Sequence, residues 1–370
     1  MATRLLVLAL VVSLFVRNNP GEFFARWFRR SWDVLLYILV LVAGVIYSSD
    51  KTTATGVLET NFCFLGFSLI LARLESFDEV YRNSLLRSFT TGVIVAALIC
   101  TVYAIYRFSK GEGPDVFYFY EFTNIIQSHP TYTAYHIIFA ITFLLVGYSS
   151  GLSRFNGKQM IAIITFLFAV LILTGGRTAF VSLLLVVAFF VLRFFTEDKA
   201  PNSGYLAILS AVMLICMLLA SEYSDRYNTM MQNDSWERFS LWKSAVQASD
   251  NILLGVGTGD YKTELNDYYR EHGMTQYERG SFNAHNQFLQ IYFSNGLLGL
   301  VVLVIMFARP LYTSVRRRNA MGVLVFFSFI IYGMTEVFLG RFQGVVFYAM
   351  MHQIFVSYYD ATERTVVLKA

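Results

Sequence analysis

Residues 160–195 read MIAIITFLFAVLILTGGRTAFVSLLLVVAFFVLRFF. Two apolar runs, Met160–Leu173 and Thr178–Phe195, are separated by only a few residues around Gly175-Gly176-Arg177. A bilayer core of roughly 30 Å takes about 20 helical residues. Backbone groups in lipid must bond within their own segment, so such runs are helices rather than open sheet. The stretch therefore predicts two membrane spans joined by a very tight turn, with an arginine held at the turn.

The same pattern continues outward in both directions. Further spans are expected near Trp32–Tyr47, Thr55–Leu71, Ser88–Tyr106, Thr133–Tyr148, Tyr205–Ala220, Asn286–Ala308, Ala320–Leu339 and Gly344–Tyr358. Leu5–Val16 is a shorter run, either a tight span or a half-inserted helix. Arg17-Asn18-Asn19-Pro20 after it offers no small-residue cleavage site, which argues against a signal peptide. The expected fold is all-α: a polytopic integral membrane protein of about 10–11 transmembrane helices, with residues 1–370 as one membrane domain. Composition agrees, since 56% of the 370 residues are hydrophobic and only 15% are charged. All five prolines, Pro20, Pro114, Pro130, Pro201 and Pro310, fall in or beside proposed connections, where proline does least harm. Cys63, Cys100 and Cys216 lie inside apolar runs and give neither a disulfide framework nor a Cys/His metal spacing.

Charge sets the expected orientation. Arginines and lysines gather in alternate connections: Arg17, Arg26, Arg29 and Arg30, then Arg73, Arg82 and Arg87, then Arg154 and Lys158, then Arg309 and Arg316–Arg318. The positive-inside rule makes that face cytoplasmic. The polar island Ser221–Ala284 then forms an external, periplasmic loop region. It carries six Lys/Arg against ten Asp/Glu, while the whole chain is +4. The basic excess is thus a sidedness signal, and nucleic acid is not an expected partner.

Parity brings Arg177, Arg238, His285 and Arg341 to the same outer surface. Within the island two short helices are expected. Asp234-Ser235-Trp236-Glu237 resembles an N-cap signal. Trp236, Phe239, Trp242 and Val246 then repeat at the spacing of an amphipathic helix on the membrane interface, with Arg238 projecting from it. Gly255, Gly257 and Gly259 suggest a flexible turn, and Asp260 a cap for a helix from Tyr261 to about Glu271, ended by Gly273. These glycines are no dinucleotide fingerprint, and there is no P-loop. Each singled-out residue also has a structural reading. Arg177 can snorkel from a helix end, Arg238 can lie on a solvated face, and His285 can bond at a helix start. His129 and His136, flanking Pro130, are structural or substrate-lining.

The combination suits group transfer from a lipid-linked donor. Arginines pair bidentately with phosphate oxygens and can stabilise charge developing on a diphosphate leaving group. A histidine can take the proton from an attacking hydroxyl. No cofactor and no metal are expected.

Gly175-Gly176-Arg177, the Arg238 to Trp242 helix followed by Leu254-Gly255-Val256-Gly257-Thr258-Gly259, and His285-Asn286-Gln287-Phe288-Leu289 leading to Gly296-Leu297-Leu298-Gly299-Leu300 resemble the O-antigen ligase/polymerase superfamily. The resemblance covers about Thr165–Leu300. It implies a bacterial inner-membrane glycosyltransferase, independent of metal and ATP, that moves a glycan from undecaprenyl diphosphate to an acceptor hydroxyl such as that of lipid A core, with inversion. By that resemblance Arg177 and Arg238 hold the diphosphate, with Arg341 beside them on the same face, and His285 activates the acceptor. The implied partners are the lipid-linked glycan, the glycan or lipid A core acceptor and membrane lipids. Family ligases usually have about twelve spans, more than are found here. A polymerase joining lipid-linked repeat units and a glycolipid transporter remain alternatives. A transporter would need charged or broken helices at mid-membrane, whereas the polar residues here gather at one face.

Overall fold

The computed structural model describes residues 20–74, 77–151, 155–196, 237–249 and 251–367. The expected Leu5–Val16 and Tyr205–Ala220 segments, and the cap at Asp234–Trp236, lie outside them. The fold is all-α. Fourteen helices are described: α1 Pro20–Tyr47, α2 Lys51–Asn61, α3 Cys63–Ala72, α4 Glu79–Ser109, α5 Phe119–Thr123, α6 Pro130–Ser149, α7 Gly157–Thr174, α8 Arg177–Thr196, α9 at 237–247, α10 Tyr261–Glu271, α11 Thr275–Gly280, α12 Gln287–Arg316, α13 Ala320–Gly333 and α14 Phe342–Val367. Among the described residues, six helical segments are long and apolar enough to cross a membrane: α1, Lys51–Ala72 (α2 with α3), α4, α6, α7 and α12. Thr178–Leu192 and Ala320–Gly333 are shorter apolar helices. The chain is a multi-pass membrane protein.

The described chain divides into two compact units. One comprises the described residues up to Arg82, from 237 to Arg317 and from Gly333 onward; the other runs from Asn83 to α8 and takes in Arg318–Tyr332.

In the first unit α1 packs on α3, α12 and α14. Its apolar face buries Val34, Tyr37, Ile38 and Leu41. Phe64 of α3 and Phe307 of α12 both meet Tyr348 of α14 through ring contacts. One charged cluster is buried among these helices. Arg309 Nη1 donates to Asp33 Oδ1 at 2.5 Å, and His352 Nε2 lies 2.9 Å from Asp33 Oδ2. Arg309 also donates to the carbonyls of Arg29 and Arg30. A carboxylate inside an apolar bundle is costly unless paired and hydrogen-bonded, and here it ties three helices together.

Residues 286–308, expected as one span, form a broken helix. Inside α12, Gly296 has φ +65°, ψ −164°. The freed backbone groups are taken up by the loop before α10. Val256 N donates to Phe293 O (3.0 Å), Gly257 N to Ser294 O (2.8 Å) and Leu297 N to Ile252 O (2.8 Å). Non-helical backbone at membrane depth survives where protein supplies such partners. The glycine turn expected to be flexible is therefore packed in place. Thr258 Oγ1 donates to Leu41 O, and Asn295 Nδ2 donates to Thr258 Oγ1, each at 2.9 Å, so the same loop also fastens α1 to the break.

The second unit packs α6 against α7 and α8. Tyr135 of α6 stacks on Tyr332 with ring centroids 3.5 Å apart.

Candidate active site

The island folds into three described helices rather than two. Leu241 and Ala245 of α9, Leu265 and Tyr269 of α10, Ala284 and Phe293 form one buried core. Burial pushes the Tyr269 phenol above its usual range, with the neighbouring Tyr277 adding to the shift, so Tyr269 stays un-ionised in this core. Helix α10 has the expected bounds, and it ends as expected at Gly273, which has φ +68°. Its start differs from expectation. Asp260 makes no side-chain cap. Its carboxylate instead accepts from Ser49 N and Asp50 N, each at 2.7 Å. A charge-assisted pair to the turn between α1 and α2 outweighs the local cap. Asp50 in turn caps α2 through Thr53, and that bonding holds its carboxyl below the usual carboxylate range.

Helix α9 has two apolar faces. At 100° per residue, Leu241 and Ala245 point into the core, while Phe239, Trp242 and Val246 share the other side. Phe239 is 61% exposed and Val246 47% exposed. Ile252, Leu253 and Leu254 of the following loop are exposed too. The apolar face expected for an interfacial helix is therefore turned outward. Arg238 lies at the seam between the two faces, half-buried, with no ion pair to another described residue.

His285 immediately precedes α12. Its backbone is left-handed, φ +43°, a conformation costing a non-glycine residue about 1–3 kcal/mol unless its surroundings fix it. They do so here. His285 N donates to Asn283 Oδ1 (2.9 Å), Asn286 caps α12 by accepting from Phe288 N and Leu289 N, and Gln290 Oε1 accepts from Ala284 N. Gln287 Oε1 accepts from Leu339 N at 2.8 Å, joining this corner to the Phe338–Gly340 turn. The imidazole remains 31% exposed, with Nδ1 3.7 Å from Glu336 Oε2. Glu336 is absent from the sequence-derived set. It is the one acidic residue between Arg309 and Tyr359, and a lone carboxylate in an apolar stretch is itself a signal. Reading Ala320–Leu339 as one span hid it; α13 stops at Gly333 and frees Glu336 to turn toward His285.

Arg341 follows the same turn, exposed and in extended conformation. Arg238, His285, Glu336 and Arg341 thus all belong to the first unit. Arg177 belongs to the second, where its backbone opens α8. The turn before it is tight, as expected. Gly175 ends α7 at φ +64°, and a Cβ there would lie 2.8 Å from Tyr118 Oη; one on Gly176 would lie 2.6 Å from Ala134 Cβ. Among the described residues no group of three or more His, Cys, Asp or Glu is placed to hold a metal ion.

Residues 161–304 match the family model described as O-Antigen ligase. Over this stretch the chain is similar to the O-antigen ligase family. The stretch runs from α7 into α12 and contains Arg177, Arg238, His285, the Gly255 loop and the Gly296 break. Glu336 and Arg341 lie beyond it. An uncharacterized protein of Haemophilus influenzae is 23% identical over 122 residues, which is 30% of this chain and 31% of that protein. The O-antigen ligase match supports a membrane glycan ligase- or polymerase-type function.

Proposed function

We propose that this protein is a glycan ligase of the bacterial inner membrane. It transfers a glycan from undecaprenyl diphosphate to an acceptor hydroxyl such as that of lipid A core, on the periplasmic side. The observation that carries the reading is His285, fixed at the head of a broken helix with Nδ1 turned to Glu336. A carboxylate at Nδ1 favours the tautomer that leaves Nε2 as acceptor. Nε2 takes the acceptor's proton as its oxygen attacks the anomeric carbon. The carbon–oxygen bond to the diphosphate breaks, and its electron pair leaves on the diphosphate. In-line attack inverts the anomeric carbon. Arg238 and Arg341 stabilise the departing charge, supported by their positions around the same unit. Arg177 joins them as a diphosphate ligand on the strength of its place in the Gly175-Gly176-Arg177 motif.

The envelope glycans of a deletion strain test this reading. Full-length polymer accumulating on the lipid carrier supports the ligase. Single lipid-linked repeat units accumulating would make the protein a polymerase, with the same chemistry and a lipid-linked acceptor. An unchanged pool of lipid-linked glycan would refute both.

A further inference from the structure

The second unit carries a half-open groove of about 190 Å³ lined by α4, α6 and α13. One wall is a single face of α4: Asn83, Leu86, Arg87, Thr90, Thr91 and Ile94 follow the three–four spacing of a helix. At 1.5 Å per residue this face is about 16 Å long. Its polarity changes along that length. Asn83 and the exposed Arg87 stand at one end. The threonines in the middle spend their hydroxyls on their own helix, Thr90 Oγ1 on Leu86 O and Thr91 Oγ1 on Arg87 O. Ile94 closes the far end, opposite Phe143 and Leu144 of α6. Past Arg87, then, the groove asks nothing polar of its occupant.

Depth agrees with this gradient. Helix α4 has 31 residues, about 46 Å, and exceeds the hydrocarbon thickness by several turns. Arg87 lies little more than two turns from its start, at headgroup level, and the groove runs from there toward the hydrocarbon. A packed protein leaves few such voids empty, because wall atoms facing a void lose their dispersion contacts.

The geometry points to a binding site for one anionic phospholipid, its phosphate at Asn83 and Arg87 and one acyl chain lying along Thr90, Thr91 and Ile94. Basic residues at the ends of membrane helices recognise anionic headgroups in this way. The site is independent of the glycan-transfer reading and uses none of its residues.

Lipid binding to the purified full-length protein in detergent tests it, with dioleoylphosphatidylglycerol and dioleoylphosphatidylcholine counted by native mass spectrometry. The wild type should retain phosphatidylglycerol in preference to phosphatidylcholine. Arg87→Gln should weaken phosphatidylglycerol binding about fivefold, the effect of one interfacial basic charge, and leave phosphatidylcholine unchanged. Gly147→Leu should displace the lipid by filling the groove, since a Cβ at Gly147 meets nothing within 4 Å. Thr91→Phe narrows the groove from the opposite wall and should act alike if Gly147→Leu folds poorly. Undiminished phosphatidylglycerol binding in folded groove-filling variants overturns the site. So does equal retention of the two lipids by the wild type, or full competition by inorganic phosphate, which would leave only an anion contact.

Discussion

Gly255 and Gly296 meet backbone to backbone: a Cβ on Gly255 would stand 2.6 Å from Gly296 N, and one on Gly296 2.2 Å from Leu253 O. The contact joins the island to the broken helix whose head carries His285. Gly255→Ala and Gly296→Ala must each push backbone aside, and both positions are left-handed. A cost of about 1–3 kcal/mol is expected from overpacking. Thermal unfolding in detergent should show a clear loss for each. Gly56→Ala, where a Cβ meets nothing, should leave the midpoint unchanged or slightly higher.

Asp260 holds two backbone N–H groups from a turn more than two hundred residues away. Asp260→Ala leaves Ser49 N and Asp50 N without that acceptor. Hydrogen bonds to charged groups are worth about 1.5–3 kcal/mol each, so a loss of about 2–4 kcal/mol is expected. Asp260→Asn keeps one good acceptor and should fall between. Equal stability of all three proteins would mean that the turn is held by its other contacts.

Arg177, Arg238 and Arg341 are expected to grip the diphosphate. Lysine keeps the charge but loses the two-pronged contact. Arg177→Lys and Arg238→Lys should each cut glycan transfer by about 10²-fold or more, the scale of a lost transition-state donor. Arg341 is exposed and should cost less. Rates at the wild-type level for the first two would return them to snorkelling and surface roles.

The orientation of the chain is open to direct labelling. Thr263 is exposed on α10, and Arg318 is exposed beyond the other end of the 30-residue α12. With cysteine placed singly at each position, an impermeant thiol reagent added from the periplasmic side should label position 263 only. Labelling at 318 alone would invert the topology and remove the island from the outer face.

The spans were legible because hydropathy and length are local properties. Nine of the expected runs fall on described helices, and the tight turn before Arg177 is plain from two glycines between two apolar stretches. What escaped depends on distant partners. Gly296-Leu297-Leu298-Gly299 reads as ordinary continuing helix, and only the backbone of residues 252–257 makes the break affordable. Asp260 looked like a cap because its true partners are remote in sequence. Glu336 was visible as an isolated carboxylate, yet the apolar residues around it extended a span past the real end of α13. The motif singles out His285 as a candidate, but nothing in the local sequence announces the left-handed backbone it adopts.

The most direct test of the central claim is transfer by purified protein from an undecaprenyl-diphosphate-linked glycan, comparing wild type with His285→Ala. Donor binding should be equal in the two. Transfer by the variant should be slower by about 10²–10⁴-fold, the usual contribution of a general base. Glu336→Gln should lie between them, because the carboxylate at Nδ1 sets the tautomer that leaves Nε2 free to accept. A His285→Ala protein that turns over bound donor at the wild-type rate would contradict the account.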